Sequence, residues 1–487
     1  MSLSSLPREI VLEIADYLTD AGMNALACMN GQVYNFLNEH LYRLDVTRHE
    51  SKSLSWAAEL GVEGTVKQAV YSGRHFNPIP ESFHIALLDA VDQGHVHLVQ
   101  FLLGVDNINL NFGGDSSEFE GSPLCLAAKR GHTAIVEMLL AANDIDPNVG
   151  DESSLTPLYW ACKMGHVSIV RQLLARDDIT IRCGSRSTTP LTVACIKSRV
   201  EVINLLLAKD GIDVNFNGDL HGETPLMMAI SRGLEEVVKS LLARDDVDPN
   251  IANNNRQHAL ENAVTSGRVG IIKLLLDHPE IDVNFVATAR DGSTALIQAI
   301  HQPEVVRLLL DREGIEVNRQ DHSGWTALSK AAQYGKLEVA KLLLEREDIN
   351  INLPDNRGRT PLFWACDSSC LDLVDILVKK EGIDTNIREV NNGHTPLAHV
   401  CHCLGFHAVA MVKSLLSCPD TDPNAVDNNN VSILADLKNT WYLPFGPRFG
   451  TSTKTMQQLH CRYNDVGFLL RTAGATAEDS DEELEAL

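Results

Sequence analysis

Residues 156–174 read TPLYWACKMGHVSIVRQLL, and this stretch decides the fold. Thr156 ahead of Pro157 is a helix start. The hydroxyl caps an orphan N–H, and proline at the first helical position lacks only a donor that had no partner. Ala161 and Cys162 are small enough to let a second helix lie close. Gly165 suits the left-handed residue that closes a helix. Behind it, Ile169, Val170, Leu173 and Leu174 make one apolar face of a second short helix. Helices this short are marginal alone in water. One such pair cannot bury its own apolar face, so the stretch predicts a unit completed by neighbours of the same kind.

Those neighbours are present. The Thr-Pro-Leu start recurs at Thr189, Thr224, Thr360 and Thr395, as Thr-Ala-Leu at Thr294 and Thr326, and in decayed form at Ser122, His258 and Ser432. A second phrase, fullest as Gly211-Ile212-Asp213-Val214-Asn215, keeps the same beat. Its copies begin at positions 108, 145, 179, 212, 247, 281, 315, 349, 383 and 421, in steps of 37, 34, 33, 35, 34, 34, 34, 34 and 38 residues. Two phrases locked in phase mark an internal repeat. The second reads as an extended exit into an Asn/Asp/Gly turn, a connector between stacked units. Glycines that close the first helix of a unit stand at Gly131, Gly165, Gly233, Gly267 and Gly335.

At 487 residues and 44% hydrophobic, the chain exceeds one ordinary compact domain. Its formal net charge of −24 repels phosphate backbones and anionic lipid, which excludes nucleic acid and membrane as main partners. The N-terminal residues lack the basic-then-apolar layout of a signal peptide. No apolar run approaches the roughly 18 residues a membrane helix needs. Eleven dispersed cysteines suggest reduced thiols, hence a cytoplasmic and/or nuclear location.

The pattern of a turn, a T-P-L start, a Gly-His break and an apolar second helix resembles the ankyrin repeat. The fullest matches begin at Ser122 and Thr156. The resemblance spans residues 49–475 and implies an all-α ankyrin-repeat solenoid of about twelve units, with a weak first unit from Ser55 and a distorted last one. Two units carry insertions. The loop Gly104–Gly121 reads as a polar linker, and residues 439–455, rich in aromatics, Pro and Gly, split the last unit. Residues 476–487 form an acidic tail expected to stay solvated. In ankyrin arrays the turn tips and first-helix ends line a concave partner-binding face. Carried over, that face includes a basic row of Lys129, Arg130, Lys163, Lys197 and Arg232, suited to an acidic partner segment. It also includes Trp325, Tyr334, Arg357 and Arg359, of the side-chain types that dominate interface energetics. Trp160 and Trp364 fall at core register.

Residues 1–48 do not follow the beat. Ile10, Ile14, Tyr17 and Leu18 share one helix face behind Pro7, and Leu26, Met29, Val33, Phe36 and Leu37 form a second amphipathic run. The matching residues Leu6-Pro7, Glu9-Ile10, Ile14, Tyr17-Leu18 and Phe36-Leu37…Leu41-Tyr42 make this module resemble an F-box. With ankyrin-like units behind it, the chain is similar to a family of fungal F-box/ankyrin proteins. The resemblance implies a Skp-type adaptor and cullin as partners, with Leu6, Pro7, Ile10, Ile14 and Leu18 facing the adaptor. The second half departs from the family: where Val-Cys…Trp is usual, Ala27-Cys28-Met29-Asn30…Val33-Tyr34 stands, with no Trp. A helical cap for the array is the alternative role.

Cys162, Cys195, Cys366 and Cys401 each lie six residues after the Thr of their unit, one core position reused. The patch His399-Val400-Cys401-His402-Cys403, with His407 beyond, puts a Cys-x-Cys on a helix, which points two thiols to different faces; no zinc is expected there. Asp246-x-Asp248-x-Asn250 and Asp420-x-Asp422-x-Asn424 lack the Gly and Glu of a calcium loop. No P-loop, dinucleotide fingerprint or nucleophile elbow occurs, so no catalytic residue, cofactor or metal is expected. The expected function is therefore binding: a ubiquitin-ligase substrate receptor holding an unknown protein on the concave face. The alternatives are a pure interaction scaffold, and an atypical enzyme whose pocket uses the loop Trp441–Phe449 with His460 and Arg462.

Overall fold

The computed structural model describes residues 52–73, 81–113, 121–181, 188–218, 221–286, 291–405, 407–442 and 453–476. The chain divides into two compact units, Met1–Arg244 and Asp245–Leu487. In the first, helices come in pairs: α1 (Lys52–Glu59) with α2 (Glu63–Gly73), α3 (Glu81–Asp92) with α4 (Val96–Leu102), and α5 (Pro123–Arg130) with α6 (Thr133–Leu140). They continue with α7 (Pro157–Met164) and α8 (Val167–Leu174), α9 (Pro190–Ile196) and α10 (Val200–Leu207), α11 (Pro225–Arg232) and α12 (Glu235–Leu242). First helices pack on first helices, α1 through α11, and second on second, α2 through α12, which makes two layers with the core between them.

The second unit repeats the scheme. Its pairs are α13 (Ala259–Thr265) and α14 (Val269–Asp277), α15 (Ala295–Gln298, continued by a 3-10 turn) and α16 (Pro303–Leu310), α17 (Ala327–Gln333) and α18 (Leu337–Leu344). They are followed by α19 (Pro361–Asp367) and α20 (Leu371–Val378), α21 (Pro396–Cys403) and α22 (Ala408–Leu416), α23 (Ile433–Tyr442) and α24 (Thr453–Thr472). No strand forms among the described residues; Val426 and Ser432 make one isolated bridge. Nor is any described helix long and apolar enough to cross a membrane.

The local chemistry explains the helix ends. Ser122, Thr156, Thr224, Thr294, Thr360 and Thr395 each accept the N–H of the third residue on, at 3.2–3.3 Å. His258 does the same job with its ring: Nδ1 accepts the N–H of Leu260 at 3.2 Å. Gly131 and Gly165 close their helices at φ 88° and 86°. A Cβ on Gly131 would also meet the His166 ring at 2.7 Å, so that glycine is required twice. Cys162, Cys195, Cys366 and Cys401 are buried, and burial raises the thiol pKa of Cys195 to about 12.

The connector phrase does more than link. In eight copies its final Asn bridges to the next connector. Asn284 Nδ2 donates to the Gly314 carbonyl (2.8 Å) while its Oδ1 accepts the N–H of Glu316 (2.9 Å). Asn318 repeats the bridge to Asp348 and Asn350, both at 2.7 Å. Asn250, Asn352, Asn386 and Asn424 repeat it in the second unit, and Asn111 and Asn148 in the first. A primary amide offers one donor and one acceptor in a fixed fork, which matches one C=O and one N–H of extended backbone. The phrase's Asp accepts the N–H of its own Asn, as Asp282 does at 2.9 Å, and so fixes the fork's direction. This accounts for the Asp-x-Asp-x-Asn clusters at 246–250 and 420–424 without an ion.

Three of the expected boundaries gain local detail. The linker Gly104–Gly121 is shorter than expected: Leu110 is buried, Phe112 stacks on His84 with centroids 4.9 Å apart, and Asn111 is a ladder rung, so residues 104–113 are a packed connector. At the expected end of the array, Ala475 is buried and the exposed Thr476 donates its N–H to Asn424 Oδ1 at 2.8 Å. At the insertion 439–455, α23 continues to Tyr442 and α24 opens at Thr453. The F-box-like module 1–48 and the tail from 477 lie outside the described residues.

Candidate functional site

The turn tips at 321–325 and 355–359 are each organised by one acid, a place that the amide Asn253 takes at 253–257. Asp321 Oδ1 accepts the N–H groups of Ser323 and Trp325, and Asp355 Oδ1 those of Arg357 and Arg359, at 2.8–2.9 Å. These Asx-type turns hold the tip residues in register with the first helix that follows. Successive tips then bond to each other: Asn356 N–H to the Ser323 carbonyl (3.1 Å) and Val390 N–H to that of Arg357 (2.7 Å). The acid has a second use. Asp151 Oδ2 accepts the indole N–H of Trp160 at 2.9 Å, and Asp355 Oδ2 that of Trp364 at 3.1 Å.

Trp160 and Trp364 are buried, 9% and 5% exposed, as their register implies. Their ring faces nevertheless carry the side chains singled out as partner-binding. Lys129 and Lys163 lie over Trp160 with Nζ 4.3 and 4.2 Å from the ring centroid. Two ammonium groups share one indole, an arrangement that draws on the ring's negative face. Arg130 is engaged in a bidentate ion pair with Asp92 (2.6 and 3.1 Å). Lys197 and Arg232 are exposed and make no ion pair among the described residues. The basic row thus holds two cations fixed on an aromatic, one neutralised and two open to solvent.

In the second unit the structure joins residues the sequence reading kept apart. Trp325 and Trp364 stack with centroids 4.3 Å apart, tilted 30°. Arg359 lies over both Trp364 (4.9 Å) and Phe363 (5.1 Å). Phe363 in turn packs on His399 (4.6 Å), whose Nε2 meets Asp367 Oδ1 at 2.8 Å. Burial holds the His399 imidazole below its usual pKa, against the pull of Asp367. Arg359 Nε sits 4.0 Å from the buried Glu389 carboxylate. Tyr334 is 55% exposed beside His301, and Arg357 is exposed at its tip. Sequence reasoning missed Phe363 and weighed His399 only as a member of the Cys/His patch. A signal existed: the fourth residue after the cap is Lys330 or His399 in some units and Trp160 or Trp364 in others. A position that accepts Lys and His borders the surface.

The adaptor-facing residues Leu6, Pro7, Ile10, Ile14 and Leu18 lie outside the described residues, as does most of the loop Trp441–Phe449. Arg462 is engaged with the Gly405 carbonyl at 3.3 Å. In the Cys/His patch, Cys401 is buried while Cys403 is exposed, so the two thiols do point apart.

A family model described as "Ankyrin repeats (3 copies)" matches residues 83–183, 178–253, 245–321, 316–389 and 350–427. Solved structures similar to parts of the chain include the ankyrin repeat domain of Bcl-3, a member of the IkappaB family. The identity is 26%, the TM-score 0.41, and the match covers 46% of this chain and 99% of that one. Another is a chain from the complex of the Bdellovibrio bacteriovorus predatory endopeptidase Bd0816 with immunity protein Bd3460, at 27% identity and TM-score 0.36, covering 40% of this chain and 100% of that one. No curated protein matches. The family match runs through most of the described helical pairs, and the chain belongs to the ankyrin-repeat family.

Proposed function

We propose that the chain is a substrate receptor: its repeats hold a protein on the face made by turn tips and first-helix ends, and its F-box-like N-terminal module presents that protein to a Skp–cullin ubiquitin ligase. The observation that carries the binding half is the seating of Trp325 and Arg359 on the buried Trp364 and Phe363, with Tyr334 and Arg357 exposed on the same kind of tip and helix-end positions. Tip geometry pre-orders these aromatic and guanidinium groups, so little side-chain entropy remains to be lost on binding. The exposed Lys197 and Arg232, on a chain of net charge −24, favour an acidic segment at the first unit. The ligase half rests on the F-box resemblance of Leu6, Pro7, Ile10, Ile14 and Leu18. The chain itself breaks no bond; it raises the local concentration of its cargo near the conjugating enzyme.

The test is affinity capture of the full chain from its native cell, compared with Leu6→Ala/Pro7→Ala and with Tyr334→Ala/Arg357→Ala. The first variant should lose a Skp adaptor and cullin while keeping the cargo. The second should lose the cargo while keeping the adaptor. Absence of adaptor from the parent chain would reduce the protein to an interaction scaffold with an N-terminal cap. Cargo unaffected by the second variant would refute the assigned face.

A further inference from the structure

We infer that the chain carries a zinc site built from His394, His402 and Asp436. One ligand atom from each lies within 4.8 Å of the others, a juxtaposition found once among the described residues. His394 sits at a turn tip, immediately before the cap Thr395; His402 is in the last turn of α21; Asp436 is in the first turn of α23, one repeat further on. The imidazole centroids lie 5.3 Å apart with the rings tilted by 52°, and His402 Nδ1 already lies 2.9 Å from Asp436 Oδ2. The His394 side chain is 8% exposed, yet its ring makes no hydrogen bond among the described residues.

Two neutral imidazoles and a carboxylate are the donor set zinc takes in three-ligand sites. Tetrahedral bonds of about 2.0–2.1 Å put donor atoms roughly 3.3 Å apart. Closing the triad therefore takes a displacement of little more than about an ångström, within reach of side-chain rotation. The site takes only His402 from the Cys/His patch, so zinc enters where the sequence alone predicts none, through residues outside that patch. His399 is committed to Phe363 and Asp367, Cys401 is in the core, and neither belongs to the triad. Linear spacing gives no warning of it, because two ligands come from one repeat and the third from the next. A bound ion would tie α21 to α23, and its fourth coordination position would open beside the tips, where a partner's His, Cys or carboxylate can complete the shell.

The test is calorimetric titration of ZnCl2 into the full-length, chelator-treated chain, backed by the visible spectrum of the cobalt form. The parent should bind one equivalent and show the strong d–d bands of tetrahedral cobalt. His402→Ala and Asp436→Asn should each lose that equivalent, while Cys403→Ser and His399→Ala should keep it. Circular dichroism checks the fold of each variant, and Asp436→Asn, at a partly exposed position, serves if a histidine variant unfolds. No uptake by the parent would overturn the site. So would uptake that survives His402→Ala and Asp436→Asn but fails in Cys403→Ser; the His402–Asp436 contact would then be only a hydrogen bond.

Discussion

Replacing Asn318 by Ala removes both arms of one ladder rung. The bonds lost are Nδ2 to the Asp348 carbonyl and Oδ1 from the Asn350 N–H, each 2.7 Å long. A net value of about 1 kcal/mol per hydrogen bond gives about 2 kcal/mol for the pair. Water reaches this connector and replaces part of the loss, which sets a floor of about 1 kcal/mol. Asn318→Asp separates the two arms. It keeps an acceptor for Asn350 but turns an oxygen, in place of a donor, toward the Asp348 carbonyl, so it too should destabilise. Asn391→Ala is the control, because Asn391 is exposed and its side chain makes no bond among the described residues. The assay is urea unfolding followed by tryptophan fluorescence, in which the stacked Trp325 and Trp364 report on the repeats that flank the rung. In a quasi-one-dimensional array the rung is a coupling between neighbours. Asn318→Ala should therefore lower the midpoint and also broaden the transition. A midpoint and slope matching those of Asn391→Ala would refute the ladder as a source of stability.

Acid sensitivity should trace to His258, which caps α13 while 1% exposed; burial lowers its pKa to about 4. Its folded pKa lies below the unfolded value of about 6.5, so the unfolded chain binds more protons between these limits. The stability concerned is present above pH 6.5 and is lost as the pH falls toward 4, by roughly 3 kcal/mol. His258→Thr restores the usual cap and should flatten that dependence, measured as the urea midpoint at pH 7.5 and pH 5; an unchanged slope would acquit His258. Gly131→Ala should cost more than Gly335→Ala. Both residues have positive φ, but an added Cβ at 131 meets the His166 ring at 2.7 Å, whereas at 335 nothing lies within 4 Å. Thermal melting should place Gly335→Ala about 1–2 kcal/mol below the parent and Gly131→Ala lower still. Disulfide-exchange labelling of the native chain should modify Cys403 and Cys461 well before Cys162, Cys195, Cys366 and Cys401; simultaneous labelling would contradict the packed core.

What the sequence by itself determined is everything that depends on near neighbours in the chain. Caps at Thr156 or Thr360, left-handed closures at Gly131 or Gly165, and the apolar face Ile169-Val170-Leu173 act within one helical pair. Their regular recurrence was enough to read the ankyrin repeat. Only the tertiary structure decided what happens 30 to 40 residues apart. The asparagine of the connector was legible as a turn residue, but its fork closes on the backbone of the next repeat, as Asn318 does on Asp348 and Asn350. Lys129 and Lys163 come from different repeats to one indole. Trp325 reaches Trp364, and His402 reaches Asp436, across a repeat boundary. The physical reason is that a repeat's period fixes what each position is, whereas side-chain length and rotamer fix which neighbouring repeat it touches, and that appears only once the repeats are stacked.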